Sequence, residues 1–201
     1  MEKYILLILV TLCMVSCNSN KKTTYVNGEK QETRDTIFND KIQGVFFDTP
    51  FGASKEEVIK NFKAHDLVFN DVTSSNALLH FYNRHGRFYT FGNMQWEMLD
   101  VYMSNGKFYG INFMNYSEDK AAAIENYDNI LKAVSAKYNM MEREPQDTTT
   151  YKLSSGYTKS FPRRVVTVAC YRYESISKKI LQGISLTYYD EESESEVSDE
   201  L

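Results

Sequence analysis

The sequence predicts an α+β fold in which an antiparallel β-meander sheet packs with two α-helices in a single domain. Two amphipathic segments with helix-start signals, one near residue 54 and one near residue 117, predict the helices. Several short segments separated by tight turns predict the strands. These turns are too short for the crossover connections that parallel strands require, so the sheet is expected to be antiparallel.

The first helix is predicted to begin directly after Ser54. A short strand candidate over 44–47 precedes it and leads into a turn that contains Gly52. Glu57 stands three residues after Ser54, a spacing typical of a capping box in which each side chain accepts a hydrogen bond from the other residue's amide. The helix is expected to run to about His65. The residues that give it an apolar side are Val58, Ile59 and Phe62.

Four strands are predicted between the two helices. The strongest signal is Asn105-Gly106, because both residues tolerate the positive φ angles of a two-residue hairpin turn. Arg84-His85-Gly86 and Gly92-Asn93 mark two further turns. The predicted strands are Leu78–Asn83, Arg87–Phe91, Gln95–Met103 and Lys107–Met114.

The second helix has the clearer periodicity. Ser117 is the expected N-cap, and acidic residues follow in the first turn, where the helix dipole favours them. Apolar residues then recur at spacings of three and four, which predicts one continuous stripe. The stripe consists of Ile124, Tyr127, Leu131, Val134 and Tyr138. Residues 142–162 are predicted to be irregular, and two more strands are predicted at Arg164–Tyr173 and Lys179–Tyr189.

The N-terminal residues indicate export. An apolar run over 4–16 follows Lys3 and is too short to span a bilayer, which needs roughly 20 residues. Its length suits the apolar core of a signal peptide. The run ends in Met14-Val15-Ser16-Cys17, which resembles the lipobox of bacterial lipoproteins. The resemblance implies that residues 1–16 are removed as a signal peptide and that Cys17 carries a lipid such as palmitate.

The lipobox resemblance also implies a place in the cell envelope. Asn18 is not the aspartate that retains lipoproteins at the inner membrane, so we expect an outer-membrane lipoprotein that faces the periplasm and contacts the membrane through its lipid anchor. Residues 17–41 are mostly polar and are expected to form a flexible tether. The folded domain is expected over 42–189, and the acidic stretch 190–201 is expected to be a disordered tail. Both end segments are expected to be dispensable for folding.

The net charge of −4 arises from the C-terminal end. Residues 190–201 hold seven acidic residues and no basic one, whereas residues 18–189 hold 22 basic and 19 acidic residues. The chain has no basic stripe interleaved with aromatic residues, so nucleic acid is not an expected partner. Cys13 leaves with the signal peptide and Cys17 is acylated, so Cys170 has no cysteine to pair with. Its strand pattern predicts a small buried side chain.

The sequence contains no motif typical of a catalytic, metal-binding or cofactor-binding site. The histidines His65, His80 and His85 lack a recognised metal-ligand spacing. Glu97 and Asp100 are expected on opposite faces of one strand, where they make a poor acid–base pair. We therefore expect a protein that is not an enzyme, with no catalytic residue, no bound metal and no cofactor.

Two segments resemble a known group of envelope proteins. Gly52-Ala53-Ser54-Lys55-Glu56-Glu57-Val58 at the first helix and Val101-Tyr102-Met103-Ser104-Asn105-Gly106-Lys107-Phe108-Tyr109 in the hairpin are similar to the SmpA/OmlA and β-lactamase-inhibitor-like lipoprotein modules. The similarity covers residues 44–114, with its order of strand, turn, capped helix and meander. It implies a role in protein binding or envelope assembly, without catalysis.

The hairpin carries the candidate binding surface. With a two-residue turn, Tyr102 is expected to pair with Tyr109, and Trp96 is expected to continue the same face. Two interpretations stay open. The face is either ordinary core beneath the second helix, or a partly open surface that binds a partner or a sugar ring. We assign Tyr102 and Tyr109 to the binding surface, and Met98 and Phe113 to the core.

These observations predict a membrane-anchored envelope lipoprotein that acts as a non-enzymatic protein-interaction module, with an envelope protein as its partner. The alternative is a small-ligand or glycan binder that uses an aromatic sheet face. The candidate surface residues are Trp96, Tyr102 and Tyr109.

Overall fold

The chain divides into two compact units, residues 1–35 and residues 36–201, so the single-domain expectation is not confirmed. The first unit contains two short antiparallel strands, β1 (Thr24–Val26) and β2 (Glu29–Gln31). The predicted signal peptide, Cys17 and the tail beyond Glu191 lie outside the described residues. The computed structural model describes residues 24–26, 29–31, 38–159, 163–175 and 177–191.

The second unit contains two described helices, α1 (Lys55–Ala64) and α2 (Lys120–Ser135), and a sheet of nine strands. Within the described residues, two small antiparallel pairs accompany this sheet: β4 (Val45–Phe46) with β5 (Thr49–Pro50), and β8 (Tyr89–Phe91) with β9 (Met94–Trp96). The strands of the large sheet are β3 (Phe38–Asn39), β6 (Leu67–Asn70), β7 (Leu78–Asn83), β10 (Met98–Ser104), β11 (Lys107–Ser117), β12 (Met141–Glu142), β13 (Thr150–Thr158), β14 (Arg164–Glu174) and β15 (Ile180–Asp190).

The large sheet is antiparallel apart from the pairing of β3 with β13. Its strands lie in the order β12, β13, β14, β15, β11, β10, β7 and β6, with β3 beside β13. Strand β11 leads into α2 and β12 along the chain but lies beside β15, so the meander expected from the sequence is not confirmed. The predicted combination of two helices with a large, mostly antiparallel sheet is confirmed.

Helix α1 begins with the predicted capping box. The Ser54 hydroxyl accepts a hydrogen bond from the Glu57 amide at 3.3 Å, and the Glu57 carboxylate accepts one from the Ser54 amide at 2.8 Å. The helix packs on the sheet through Phe62, whose ring centroid lies 4.9 Å from that of Phe81 on β7. The cap and the apolar spacing therefore determine both where this helix starts and which side it buries.

Helix α2 is capped by Asp119. The Asp119 carboxylate accepts hydrogen bonds from the amides of Ala121, at 2.6 Å, and Ala122, at 3.1 Å. Ser117 still belongs to β11, where it pairs with Gln182, so the prediction of a Ser117 cap is wrong. One carboxylate oxygen satisfies two of the unpaired amides of the first turn. The buried residues of this helix are Ala123, Tyr127, Ile130 and Val134.

The sequence predicts irregular backbone over 142–162, but nine of these residues, Thr150–Thr158, form β13. This strand pairs with β14 on one side and with β12 and β3 on the other. Its buried residues are polar or lack a side chain, so the strand shows no apolar alternation. The Ser154 hydroxyl, for example, lies 2.8 Å from the Tyr127 hydroxyl of α2. Tertiary contacts thus create a strand that the apolar pattern does not predict.

The large sheet extends beyond the predicted domain bounds of 42 and 189. Near its start, Asn39 belongs to β3, and its side-chain oxygen accepts a hydrogen bond from the Asn139 amide at 2.6 Å. At its end, Asp190 is buried in β15 and forms an ion pair with Arg164 at 3.6 Å. Their partners, Asn139 and Arg164, are distant in the sequence, so a local pattern does not predict that these residues belong to the sheet.

The hydrophobic core lies on one face of the large sheet, which we call the helix face. Both described helices and the β8–β9 pair contribute side chains to this core. Leu99 and Val101 of β10 belong to it, whereas Asp100 between them does not. Successive residues of a strand point to opposite faces, so Asp100 lies on the other side of the sheet. We call that side the tyrosine face.

Candidate functional site

The tyrosine face carries eight of the fifteen tyrosines in the chain. Strand register places them on the side of the sheet opposite the core, and most of them are half-buried. A tyrosine combines a flat apolar ring with a hydroxyl that donates and accepts hydrogen bonds, which suits it to binding interfaces. These residues are Tyr82, Tyr102, Tyr109, Tyr116, Tyr157, Tyr171, Tyr173 and Tyr189.

A row of polar residues crosses this face, and we call it the polar row. It contains one residue from each of seven adjacent strands, every one paired in register with the next. Since neighbouring strands lie about 4.8 Å apart, the row spans about 29 Å. Its members, from β6 to β13, are Asn70, His80, Asp100, Asn112, Thr187, Thr167 and Ser155.

Hydrogen bonds join the side chains of three neighbouring pairs in the polar row. His80 Nδ1 lies 2.6 Å from Asp100 Oδ1, and the Thr187 hydroxyl donates to Asn112 Oδ1 at 3.0 Å. The Ser155 and Thr167 hydroxyls lie 3.3 Å apart. Asp100 and Asn112 are each only 8% exposed. Buried polar groups are costly unless they are paired, and these contacts satisfy much of the row within the sheet itself.

The electrostatics of the row follow from its partial burial. Burial raises the pKa of the Asp100 carboxyl above its ordinary value, and the hydrogen bond from His80 opposes this effect. Burial and the nearby Asp100 charge together raise the pKa of Tyr102. Burial is also the main cause that raises the pKa of Tyr171 to about 12. The hydroxyls of Tyr102 and Tyr171 are therefore neutral at physiological pH and can donate hydrogen bonds.

Two glycines let tyrosine rings lie against the sheet. A Cβ atom on Gly110 would stand 2.9 Å from Tyr102 Cδ2, and one on Gly183 would stand 2.5 Å from Tyr171 Cζ. Both distances are shorter than a normal contact between non-bonded carbon atoms. A side chain at either glycine would therefore push the neighbouring ring away from the backbone.

Tyr102 and Tyr109 share the tyrosine face, as predicted, with ring centroids 6.1 Å apart. Their direct pairing is not found. The register shifts between Tyr102 and Met103, which leaves Tyr109 as an extra residue and places Tyr102 opposite Gly110. This β-bulge turns Phe113 to the helix face, where it is buried as predicted. The role of Tyr102 and Tyr109 in binding stays a prediction.

Trp96 does not belong to the tyrosine face, so its assignment to the candidate surface is wrong. The side chain is 0% exposed and its Nε1 donates a hydrogen bond to the Phe91 carbonyl at 3.2 Å. The predicted strand over 95–103 is interrupted at Glu97, which separates β9 from β10. This break ends the strict alternation, so Trp96 packs on Phe113 in the core, with 5.7 Å between ring centroids.

Apolar side chains border the polar row on both sides. One flanking row contains Tyr102, Gly110, Tyr189, Val165 and Tyr157, and the other contains Met98, Met114, Ser185, Ala169 and Leu153. Met98, which the sequence assigns to the core, is 37% exposed here, so that assignment is wrong. Among the described residues of the three rows, none is Lys, Arg or Glu.

Charged side chains begin at the β13 edge of the face. The guanidinium groups of Arg143 and Arg163 lie 5.0 and 4.7 Å from the ring centroid of Tyr157. Arg163 also forms an ion pair with Glu191 at 3.1 Å. Among their described residues, the polar row and its two flanking rows thus carry no charged group beyond the Asp100–His80 pair, and the guanidinium groups of Arg143 and Arg163 lie at this edge.

Three further features of the described residues concern metal binding, membrane-spanning helices and the thiol of Cys170. There, no three His, Cys, Asp or Glu side chains lie close enough together to hold a metal ion. Neither described helix has the length and apolar character needed to cross a membrane. Cys170 is buried in the core, as predicted, and burial raises the pKa of its thiol.

Comparisons of the chain with protein-family models, with curated proteins and with solved structures find no match. Function is therefore inferred from the tyrosine face itself. Sequence patterns do not reveal the polar row, because its seven members come from strands spread between residues 67 and 190. The available signal is indirect: five of the seven members stand between apolar or aromatic neighbours, namely His80, Asp100, Asn112, Thr187 and Thr167.

Proposed function

We propose that the chain is a non-enzymatic interaction module of the bacterial cell envelope, held at the outer membrane by a lipid on Cys17 and facing the periplasm. The observation that supports this most is the polar row, which lies among tyrosines on the sheet face opposite the core. Polar groups at fixed positions orient a partner, and aromatic rings supply contact area.

Two classes of partner can use such a face. One is an envelope protein, as the similarity to SmpA/OmlA and β-lactamase-inhibitor-like modules implies. The other is a glycan, which the polar row favours because its hydroxyl and amide groups match sugar hydroxyls. The proposed interaction function is the same for both classes of partner.

The test uses the chain from residue 17 onward with Cys17→Ser, so that no lipid inserts into membranes. We expect this protein to sediment with envelopes isolated from cells that lack their own copy. Tyr102→Ala combined with Tyr189→Ala should weaken this binding about tenfold or more. Tyr127→Phe, which removes a hydroxyl on the helix face, is the matched control and should bind like the parent chain. Failure of the parent chain to sediment would contradict the proposal.

A further inference from the structure

We propose that the polar row is a binding site for a neutral, linear carbohydrate chain that lies across the strands. This inference rests on the proposed interaction function and names the chemistry of the partner. Its basis is the combination of a row of hydrogen-bonding side chains, an aromatic flank along one side of it and an absence of basic residues from the described centre of the face.

The hydrogen-bonding groups of the row match those of a sugar. Each sugar hydroxyl donates one hydrogen bond and accepts others, and so do the hydroxyls of Thr187, Thr167 and Ser155. The Asn112 amide supplies both donors and an acceptor, and its nitrogen already donates to the Tyr102 hydroxyl at 3.4 Å. The Asp100 carboxylate, whose Oδ1 lies 2.6 Å from His80 Nδ1, is the charged acceptor of the row for sugar hydroxyls.

The aromatic flank matches the apolar carbon–hydrogen face of a sugar ring. The ring of Tyr102 lies over Gly110, immediately beside Asn112 in the neighbouring row. Tyr189 stands opposite Gly110 on the next strand and extends the same aromatic edge. Rings that lie along the sheet beside a polar row let a sugar stack while its hydroxyls reach the row.

The arrangement is the reverse of a usual protein–protein interface. Such interfaces place apolar anchors at the centre and polar groups at the rim. Here the polar residues are central, with tyrosines along one border and mainly aliphatic side chains along the other. A protein partner would need polar groups at the centre of its own binding surface to pair with this row. A carbohydrate presents hydroxyls along its whole length. The observations therefore favour the carbohydrate.

The charges on the tyrosine face favour a neutral carbohydrate over an acidic one. The row and its two flanks contain one carboxylate, Asp100, hydrogen-bonded to one imidazole, His80, and their described residues include no lysine or arginine. A polyanion such as a nucleic acid or a polyuronate would meet the Asp100 carboxylate at the centre, whereas Arg143 and Arg163 lie away from it, at the Tyr157 edge. A neutral chain meets no such repulsion along the row.

The experiment repeats the envelope-binding assay after treating the envelopes in two ways. Periodate cleaves the vicinal diols of sugars, and protease digests proteins. We expect periodate to abolish binding of the Cys17→Ser chain and protease to leave it unchanged. Loss of binding after protease, with binding retained after periodate, would overturn the carbohydrate assignment and leave the interaction function standing. Absence of binding to untreated envelopes would instead remove the interaction function.

Variants locate the site on the row. Thr187→Val and Asp100→Asn keep the shape of the side chain and remove one hydroxyl and one charge, respectively. Each should weaken periodate-sensitive binding about tenfold, as expected for one lost hydrogen bond of good geometry. Tyr127→Phe on the helix face should have no effect. Retention of full affinity by both row variants, shown to be folded by their unfolding transitions, would place the carbohydrate elsewhere and overturn the proposal.

Discussion

Asp100 and Asn112 stand directly opposite each other on β10 and β11, and their side chains lie at the centre of the polar row. The β-bulge at Tyr109 produces this pairing. A regular hairpin with the same turn would place Ile111 opposite Asp100 and would turn Asn112 toward the core. One extra residue in the strand therefore decides which face of β11 is polar, because a shift of one position exchanges the two faces.

Truncating Tyr102 should cost less stability than truncating a core aromatic residue. Tyr102 is half-buried on the tyrosine face, whereas Phe113 is fully buried in the core. We expect Phe113→Ala to lower the free energy of unfolding by about 3–5 kcal/mol, and Tyr102→Ala by about 1–2 kcal/mol. Urea unfolding measures both values. Equal losses would show that Tyr102 acts as core and that the tyrosine face is not a free surface.

Gly183→Ala should displace the Tyr171 ring. The added methyl group would lie 2.5 Å from Tyr171 Cζ, so the ring must swing away from the sheet. Because the displaced atom is at the far end of a side chain, we expect a modest cost of about 1 kcal/mol. In a Tyr171→Ala background the same substitution should be nearly neutral, which a double-mutant cycle detects. Additive effects would contradict the contact.

Asp100 should destabilise the fold at neutral pH relative to acid. Its pKa is raised in the folded state, mainly by burial, above the ordinary value of 3.8. As pH rises from 3.8 through the folded pKa, the folded state holds the proton longer than the unfolded chain, so the free energy of unfolding falls. Comparison of parent and Asp100→Asn proteins in urea at several pH values should show this difference.

Asp147 provides a control, because its pKa shift has the opposite sign to that of Asp100. Hydrogen bonds from Thr149 and Thr150 lower its pKa to about 2. Its stabilising contribution is present above pH 3.8 and is lost as pH falls toward 2, so Asp147→Asn should remove this acid sensitivity. The same sign of pH dependence for both variants would contradict the assignment of causes at Asp100.

A chain trimmed to residues 41–189 should be less stable than one that covers 36–191. The shorter chain lacks Asn39, which hydrogen-bonds to Asn139, and Asp190, which pairs with Arg164. We expect the midpoint of thermal unfolding to fall by several degrees, since each lost partner leaves a polar group unpaired. Identical midpoints would show that the two ends of the sheet contribute nothing.

Cys17→Ser should remove the lipid-dependent attachment of the protein to the membrane and leave only the binding through the tyrosine face. Acylation of Cys17 is expected from the lipobox-like Met14-Val15-Ser16-Cys17, and a lipid supplies the membrane affinity. Detergent phase partitioning should place the parent in the detergent phase and the variant in the aqueous phase, and mass spectrometry of the parent should find a lipid on Cys17. An unmodified Cys17 would refute the anchor.

Local signals in the sequence predict part of the fold well. The capping box at Ser54 and the turn at Asn105-Gly106 are both found, because each depends on residues within a few positions of one another. The strand over 78–83 is also found with its predicted bounds. The cap of α2 at Asp119 is missed because Ser117 offers a competing cap nearby in the sequence. The strand β13 is missed because its pairing with β14 and its polar buried residues leave no apolar alternation to recognise.

The sequence by itself determined the two helices, the antiparallel character of the sheet and the aromatic richness of the hairpin, since these follow from periodicity, caps and turn residues. Only the tertiary structure decided that Trp96 is core and that Tyr102 is not. It also brought the seven members of the polar row into register. The physical reason is that strand order and the bulge at Tyr109 arise from packing between segments far apart in the chain, and a local pattern does not contain that information.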